Sequence, residues 1–213
     1  MTPGEARRDH WERVHRTREP QTTSWHQPHP APSLRALGHL GAGPADSLID
    51  VGGGAARLVD ALLDRGWEDL AVLDIAASAL EAARARLGAR AERVRWIAAD
   101  VTRWQPDRTW TVWHDRAAFH FLTTPEDRAA YRRALEAAPR PGSGAILATF
   151  APDGPERCSG LPVRRWDARS LAAELGPGWS PVAAWREDHR TPAGAVQAFQ
   201  WTVFRRAGGP DPS

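Results

Sequence analysis

"LIDVGGGAARLVDALLDRG", residues 48–66, is the stretch on which the fold turns. An apolar run carries one acid, passes through three consecutive glycines and opens into apolar residues at helical spacing. A short apolar run bounded by glycine reads as a buried strand, and apolar residues three and four apart read as a helix. The stretch therefore predicts strand, tight turn and helix, with Gly66 as the helix C-cap. Glycine at such a turn lets the backbone come close to a ligand, and the helix N-terminus behind it presents free N–H groups.

Working outward, "DLAVLDI" reads as a second strand and "SALEAARARLG" as a second helix, with Ser78 as N-cap and Gly88 past its end. "RVRWIAAD" and "TWTVWHD" are the third and fourth strands. "TPEDRAAYRRALEAA" is a helix with Thr124 as N-cap, Pro125 at the first helical position and acids in the first turn. "PGSGAILATF" supplies a turn and the fifth strand. Strand and helix alternate, which predicts a doubly wound α/β sheet, mostly parallel and covered on both faces. The tail breaks the rhythm: "RWDARSLAAELG" is helical, and "SPVAAWREDHR", "TPAG" and "AVQAFQWTVFRR" form a hairpin that gives the sheet an antiparallel edge.

Residues 1–45 precede this alternation. They hold a helical pattern at "EARRDHWERVHRT", the proline-rich "SWHQPHPAPS" and a helical "SLRALGHLG". The expected division is an N-terminal lid or cap at 1–45, one α/β domain at 46–206 and a disordered tail at 207–213.

With 213 residues, 42% of them hydrophobic, the chain can bury a single-domain core. It carries neither a secretory h-region at its start nor an apolar run of the roughly 18 residues a membrane span requires, so a cytoplasmic protein without membrane partners is expected. One cysteine, Cys158, excludes an intramolecular disulfide and a cysteine-based zinc site. His10, His15, His26 and His29 fit no standard metal-ligand spacing, and no metal is expected. All 28 basic residues are arginine, so the isoelectric point is about 9.4 although the net charge is only +2. These arginines alternate with acids along helical patterns, which argues for solvated helix faces and against a nucleic-acid partner.

In a doubly wound sheet, ligands sit beyond the carboxyl ends of the strands, where the strand order reverses. Asp50, Asp74 and Asp100 each stand at the end of one of the first three strands. Asp74 follows Asp50 by one strand–helix–strand pass and suits ribose hydroxyls. A dinucleotide site needs G-x-G-x-x-G, yet "GGGAAR" from Gly52 puts Arg57 at the third glycine. The pattern G-x-G-x-G after an acid reads "DVGGGAA", with Ala56 in the last place. A carboxylate beside the turn repels a pyrophosphate and suits a ligand carrying an ammonium and a sulfonium, S-adenosylmethionine.

"LIDVGGGAARL", "AVLDIAASAL", "VRWIAAD" and "TVWHDRAAFHFL" together resemble the successive motifs of class I S-adenosylmethionine-dependent methyltransferases, over roughly residues 45–206. The resemblance implies a Rossmann-like sheet of seven strands with an antiparallel last strand. "WHDRAAFHFLTTPEDRAAYRRAL" and "SWHQ" are similar to segments of small thiopurine-methyltransferase-like enzymes. Some protein-lysine methyltransferases carry a related D-basic-G segment, in which Ala117 here replaces the glycine. By this resemblance Gly52 and Gly54 admit the methionine part of the cofactor and Asp50 holds its ammonium indirectly. Asp74 takes the ribose, Ile75 lines the adenine pocket, Asp100 accepts from the adenine amino group and Val101 stacks beside it. Trp11 and Trp25 form a lid, and Arg116 reaches the cofactor carboxylate or an anionic group of the substrate.

Methyl transfer from a sulfonium is an in-line displacement, for which positioning is the main requirement. A neutral amine or hydroxyl acceptor also needs its proton taken, and His114, Asp115 and His120 are the catalytic candidates. His120 lies between Phe119 and Phe121 and reads equally as a packed structural histidine. Cys158 reads as loop lining. The expected activity is methyl transfer to sulfur, nitrogen or oxygen of a small molecule. The alternatives are protein-lysine N-methylation and cofactor binding without transfer.

Overall fold

A computed structural model describes residues 3–207. Residues 208–213, most of the expected tail, lie outside that range. Helices α1 (Pro3–Thr17) and α2 (Ala31–Leu40) lead into β1 (Ser47–Val51), α3 (Leu58–Leu63), β2 (Asp69–Asp74), α4 (Ala77–Leu87), β3 (Val94–Ala98) and β4 (Trp110–Arg116). There follow α5 (Pro125–Ala137), β5 (Pro139–Phe150), a small ribbon of β6 (Arg157–Cys158) and β7 (Leu161–Pro162), α6 (Ala168–Leu175), β8 (Trp179–Arg190) and β9 (Val196–Arg206). Seven strands form one sheet in the order β3-β2-β1-β4-β5-β9-β8. Strands β1 to β5 pair in parallel and β9 lies antiparallel to both β5 and β8. The doubly wound α/β class is therefore observed, and the strand order reverses between β1 and β4.

Side chains alternate across a strand, so each strand feeds two cores. Leu48, Val72, Val112 and Ile146 pack with Leu37, Leu62 and Leu80 of α2, α3 and α4. Ile49, Leu73, Trp113 and Leu147 pack with Tyr131, Leu135 and Leu171 of α5 and α6. The same alternation assigns Asp50 and His114 to the first face and Asp115 to the second.

Several local expectations are met by their stated causes. Thr124 caps α5 by accepting from the Asp127 backbone N–H at 3.2 Å, with Pro125 at the first helical position. The C-cap of α3 is Asp64 rather than Gly66, but Gly66, with φ +82°, closes the turn just beyond it, in which the Trp67 N–H donates to the Leu62 carbonyl.

Others are corrected. Ser78 is not the N-cap of α4; that position is Ala76, whose N–H donates to Asp74 Oδ1 at 2.8 Å. Asp100 does not close β3, which ends at Ala98, but sits in the turn beyond it. The hairpin does not simply add an antiparallel edge. Its second strand inserts next to β5, so the antiparallel strand is internal and the outermost strand runs with the rest of the sheet. His120 lies in a 3₁₀ turn, Phe119–Phe121, rather than in an α-helix.

Candidate active site at the carboxyl edge of the sheet

Gly52, Gly53 and Gly54 turn the chain at the end of β1, with φ +70° at Gly52 and +41° at Gly54. Side chains are excluded there by contact as well as by conformation. A Cβ on Gly53 would stand 2.5 Å from Asp50 Oδ2, and one on Gly54 would stand 2.7 Å from Asp74 Oδ2. One on Gly52 would meet the Ala118 Cβ at 2.5 Å. The glycines thus bring the backbone against two carboxylates and the end of β4.

The three predicted acids are buried and share one design, in which Oδ1 is held by the protein. Asp50 Oδ1 lies 2.7 Å from His114 Nδ1, and His114 Nε2 lies 3.0 Å from Ser33 Oγ. Asp74 Oδ1 accepts from the Ala76 N–H. Asp100 Oδ1 accepts from the Thr102 N–H at 2.9 Å and from its hydroxyl at 2.7 Å. Asp50 Oδ2 and Asp74 Oδ2 face the glycine turn, while Asp100 Oδ2 is buried without a partner. A buried acceptor left unpaired is costly, and Asp100 Oδ2 lies beside Gly4 of α1, where an added Cβ would stand 3.2 Å from it. Burial, with the negative charges of Asp50 and Glu12 nearby, raises Asp74 to about 7.

Helix α1 lies across this edge. Arg7, Trp11 and His15, four residues apart on one helical face, all line the cleft. Arg7 fixes the near end of α1 by an ion pair to Asp127 at 2.6 Å and stands 3.8 Å from Asp100 Oδ1. Glu12 Oε1 accepts from the Ala77 N–H at 2.6 Å, so α1 supplies the cap that α4 lacks in its own sequence. Trp11 packs edge-on against Trp25 at 5.7 Å and Phe121 at 5.0 Å. Arg116 donates to the Trp25 carbonyl at 2.9 Å and lies over the Phe199 ring at 5.1 Å. Its second terminal nitrogen is buried without a partner, and burial lowers the guanidinium to about 10.

The resulting cleft encloses about 1330 Å³ of atom-free space, part of it open to solvent. Trp11, Trp25, Asp50, Gly52, Gly54, Asp74, Ile75, Asp100, Val101, His114 and Arg116 all line it, as does Cys158. Two catalytic candidates do not. Asp115 is fully buried on the opposite face of β4, where it accepts from the Ala118 and Phe119 N–H groups and, at 2.7 Å, from the Tyr131 hydroxyl. Its carboxyl, raised to about 6 by burial, organises the turn after β4. His120 is also sealed in, between Phe121 and Phe150, and its Nδ1 accepts from the Phe150 N–H at 3.2 Å. Burial and the Arg116 charge lower it to about 3, so it stays neutral. His114 does line the cleft, but both its ring nitrogens are engaged by Asp50 and Ser33.

Ser33 and Glu12 escaped the sequence reading, and His15 entered it only as a histidine that fits no metal-ligand spacing. The spacing of Arg7, Trp11 and His15 was the available signal for the last, whereas Ser33 and Glu12 act through contacts 81 and 65 residues away. Ala117 has φ +69°, a conformation that favours glycine, at the position where the D-basic-G pattern has glycine. Among the described residues no group of three or more His, Cys, Asp and Glu could hold a metal ion, and no helix is long and apolar enough to cross a membrane.

Residues 48–142 match a family model described as a methyltransferase domain. A structure of a SAM-dependent methyltransferase from Anabaena variabilis superposes with a TM-score of 0.74 at 14% identity, covering 97% of this chain and 96% of that one. The 1,6-didemethyltoxoflavin-N1-methyltransferase of Burkholderia thailandensis, bound to its substrate and S-adenosylhomocysteine, gives a TM-score of 0.71 at 19% identity, covering 97% and 91%. The eEF1A lysine and N-terminal methyltransferase of Mus musculus is 24% identical over 126 residues, which are 59% of this chain and only 18% of that protein. Residues 48–142 thus match a methyltransferase-domain model, and the chain has the Rossmann-like fold of these methyltransferase structures.

Proposed function

We propose that the chain transfers a methyl group from S-adenosylmethionine to sulfur, nitrogen or oxygen of a small molecule. The observation that carries this reading is that Asp50 and Asp74 meet at the glycine turn and line one cleft with Asp100, whose Oδ2 is buried and unpaired. Carboxylates beside the turn disfavour a pyrophosphate and favour an ammonium, ribose hydroxyls and an exocyclic amine.

In this reading Gly52 and Gly54 admit the methionine part, and Asp50, locked by the His114–Ser33 pair, faces its ammonium. Asp74 accepts from the ribose and Asp100 from the adenine amine, with Ile75 and Val101 against the base. The unpaired nitrogen of Arg116 serves the cofactor carboxylate or an acid on the substrate. Trp11 and Trp25 roof the cleft and exclude water. The bound cofactor supplies an electrophilic methyl on a leaving group already activated by its charge. The chain's own contribution is alignment of acceptor and methyl, which can be worth several kcal/mol, roughly 7–11 at the upper end.

A small acceptor is favoured because α1 and the segment around Thr23 and Pro30, both buried residues, cover the cleft. Protein-lysine methylation is the second reading, supported by the short match to the mouse enzyme. The likeness to thiopurine-methyltransferase-like enzymes rests on "SWHQ" and on the Asp115-Arg116 pair. Of that pair only Arg116 reaches the cleft.

Calorimetry tests the reading. S-adenosylmethionine should bind and NAD should not, and Asp74→Ala should weaken binding at least about tenfold, or 1.4 kcal/mol. Retention of NAD in preference to the sulfonium compound would defeat it. Radiolabelled cofactor offered to small thiols, acids, amines and cell lysate separates the two acceptor classes, by label in small molecules or in a protein band.

A further inference from the structure

We infer that the part of the cleft walled by Trp11, His15, Trp25 and Phe121 is a slot for a flat, uncharged aromatic acceptor bearing a hydroxyl or amine, and that His15 takes the proton of that group. The inference rests on the methyl-transfer reading above. Trp11, His15 and Trp25 stand within 6.1 Å of one another, Trp11 also meets Phe121, and all four rings line the cleft while remaining only half-buried. Half-exposed tryptophans inside a concavity are ready partners for a planar ring. Asp50, Asp74 and Asp100 line the cleft together with Arg7, Arg57 and Arg116, so the lining carries no net charge that would select a charged acceptor.

Three histidines line the cleft, and their surroundings separate them. His114 has both ring nitrogens engaged. His26 makes no side-chain hydrogen bond among the described residues, but burial and the charges of Arg57, Arg86 and Arg116 all oppose its protonation. His15 makes no side-chain hydrogen bond among the described residues, and the charge acting on it is that of Glu12, less than one turn away, which favours the imidazolium. Burial lowers the resting pKa of His15, so the ring starts neutral and able to accept.

The charge bookkeeping closes. The acceptor O–H or N–H proton moves to a ring nitrogen of His15 as the heteroatom lone pair forms the bond to the methyl carbon. The carbon–sulfur bond breaks with its electron pair going to sulfur. One positive charge thereby moves from the sulfonium to the His15 imidazolium, facing Glu12.

The probes are 2-naphthol and 2-naphthalenethiol, which share a planar frame but differ in that the thiol ionises readily without a base. With protein loaded with S-adenosylhomocysteine, 2-naphthol should bind in calorimetry, and Trp11→Ala should weaken it about tenfold. His15→Asn and His15→Gln, checked for wild-type melting, should lower kcat for 2-naphthol about a hundredfold with little change in KM. The hydroxyl-to-thiol rate ratio should fall with it. Three results would overturn the inference: no binding of 2-naphthol to the loaded protein, no methylation of it by wild type, or an equal fall for both probes. Failure of S-adenosylhomocysteine itself to bind would instead bring down the methyl-transfer reading on which this rests.

Discussion

Cofactor binding should expel a proton, and Asp74 is the reason. Its carboxyl is buried beside Asp50 and Glu12 and titrates near 7 in the free protein. At pH 6 such a group is protonated in about nine molecules of ten. Ribose hydroxyls donating to it stabilise the carboxylate form, so binding pulls the pKa back down and releases up to about 0.9 proton at pH 6. The affinity should then rise with pH by nearly tenfold per unit below pH 7 and level off above it. Titration calorimetry at pH 6 in two buffers of different ionisation enthalpy counts the released proton directly. Asp74→Asn should abolish the release, whereas Asp115, which does not reach the cleft, should contribute nothing to it. The sign for folding is the converse of a salt-bridged acid. Because the folded-state pKa is raised, the contribution of Asp74 to stability is fully present below about pH 4 and is lost as pH rises through 7, with Asp115 acting the same way up to about 6. Proton uptake on binding at pH 6, or no exchange at all, would refute the assignment of Asp74 as a ligand-facing carboxylate.

Three further outcomes follow from the same geometry. Ala117→Gly relieves a left-handed alanine, at some cost in unfolded-chain entropy, and should raise stability by about 0.5–1 kcal/mol in denaturant unfolding. Tyr131→Phe removes the hydroxyl that donates to Asp115 and accepts from Trp113 Nε1 at 2.8 Å. It should destabilise by about 2–3 kcal/mol, measured the same way, with cofactor affinity unchanged. Glu12→Ala removes the cap on α4 and a negative charge near Asp74. A stability loss of about 1 kcal/mol should accompany a smaller proton release on cofactor binding at pH 6.

Much of the fold was legible because its signals are local. A glycine turn between an apolar run and a helical pattern, repeated alternation, Thr124 before Pro125 and the C-terminal hairpin each act over a few residues. The positions of Asp50 and Asp74 followed from the same counting, since one strand–helix–strand pass brings successive strand ends to one edge. The family resemblance then assigned those acids a ligand, which no periodicity does.

What the local signals missed has a common cause. His114 and Asp115 are neighbours in sequence, but side chains on a strand alternate, so one joins Asp50 and Ser33 while the other turns to Tyr131. Which neighbour takes which face depends on the register of β4 against β1, where Asp50 stands opposite His114. The position of β9 inside the sheet, and the capping of α4 by Glu12 of α1, are likewise contacts across long stretches of chain. The sequence by itself determined the elements, their order and the edge at which the acids gather, because those depend on interactions between near neighbours. Only the tertiary structure decided which oxygen of each acid is held, which charges surround each histidine and how α1 lies over the cleft. Those are settled by burial and by hydrogen bonds between distant segments, and a buried polar group takes whatever partner packing brings within reach.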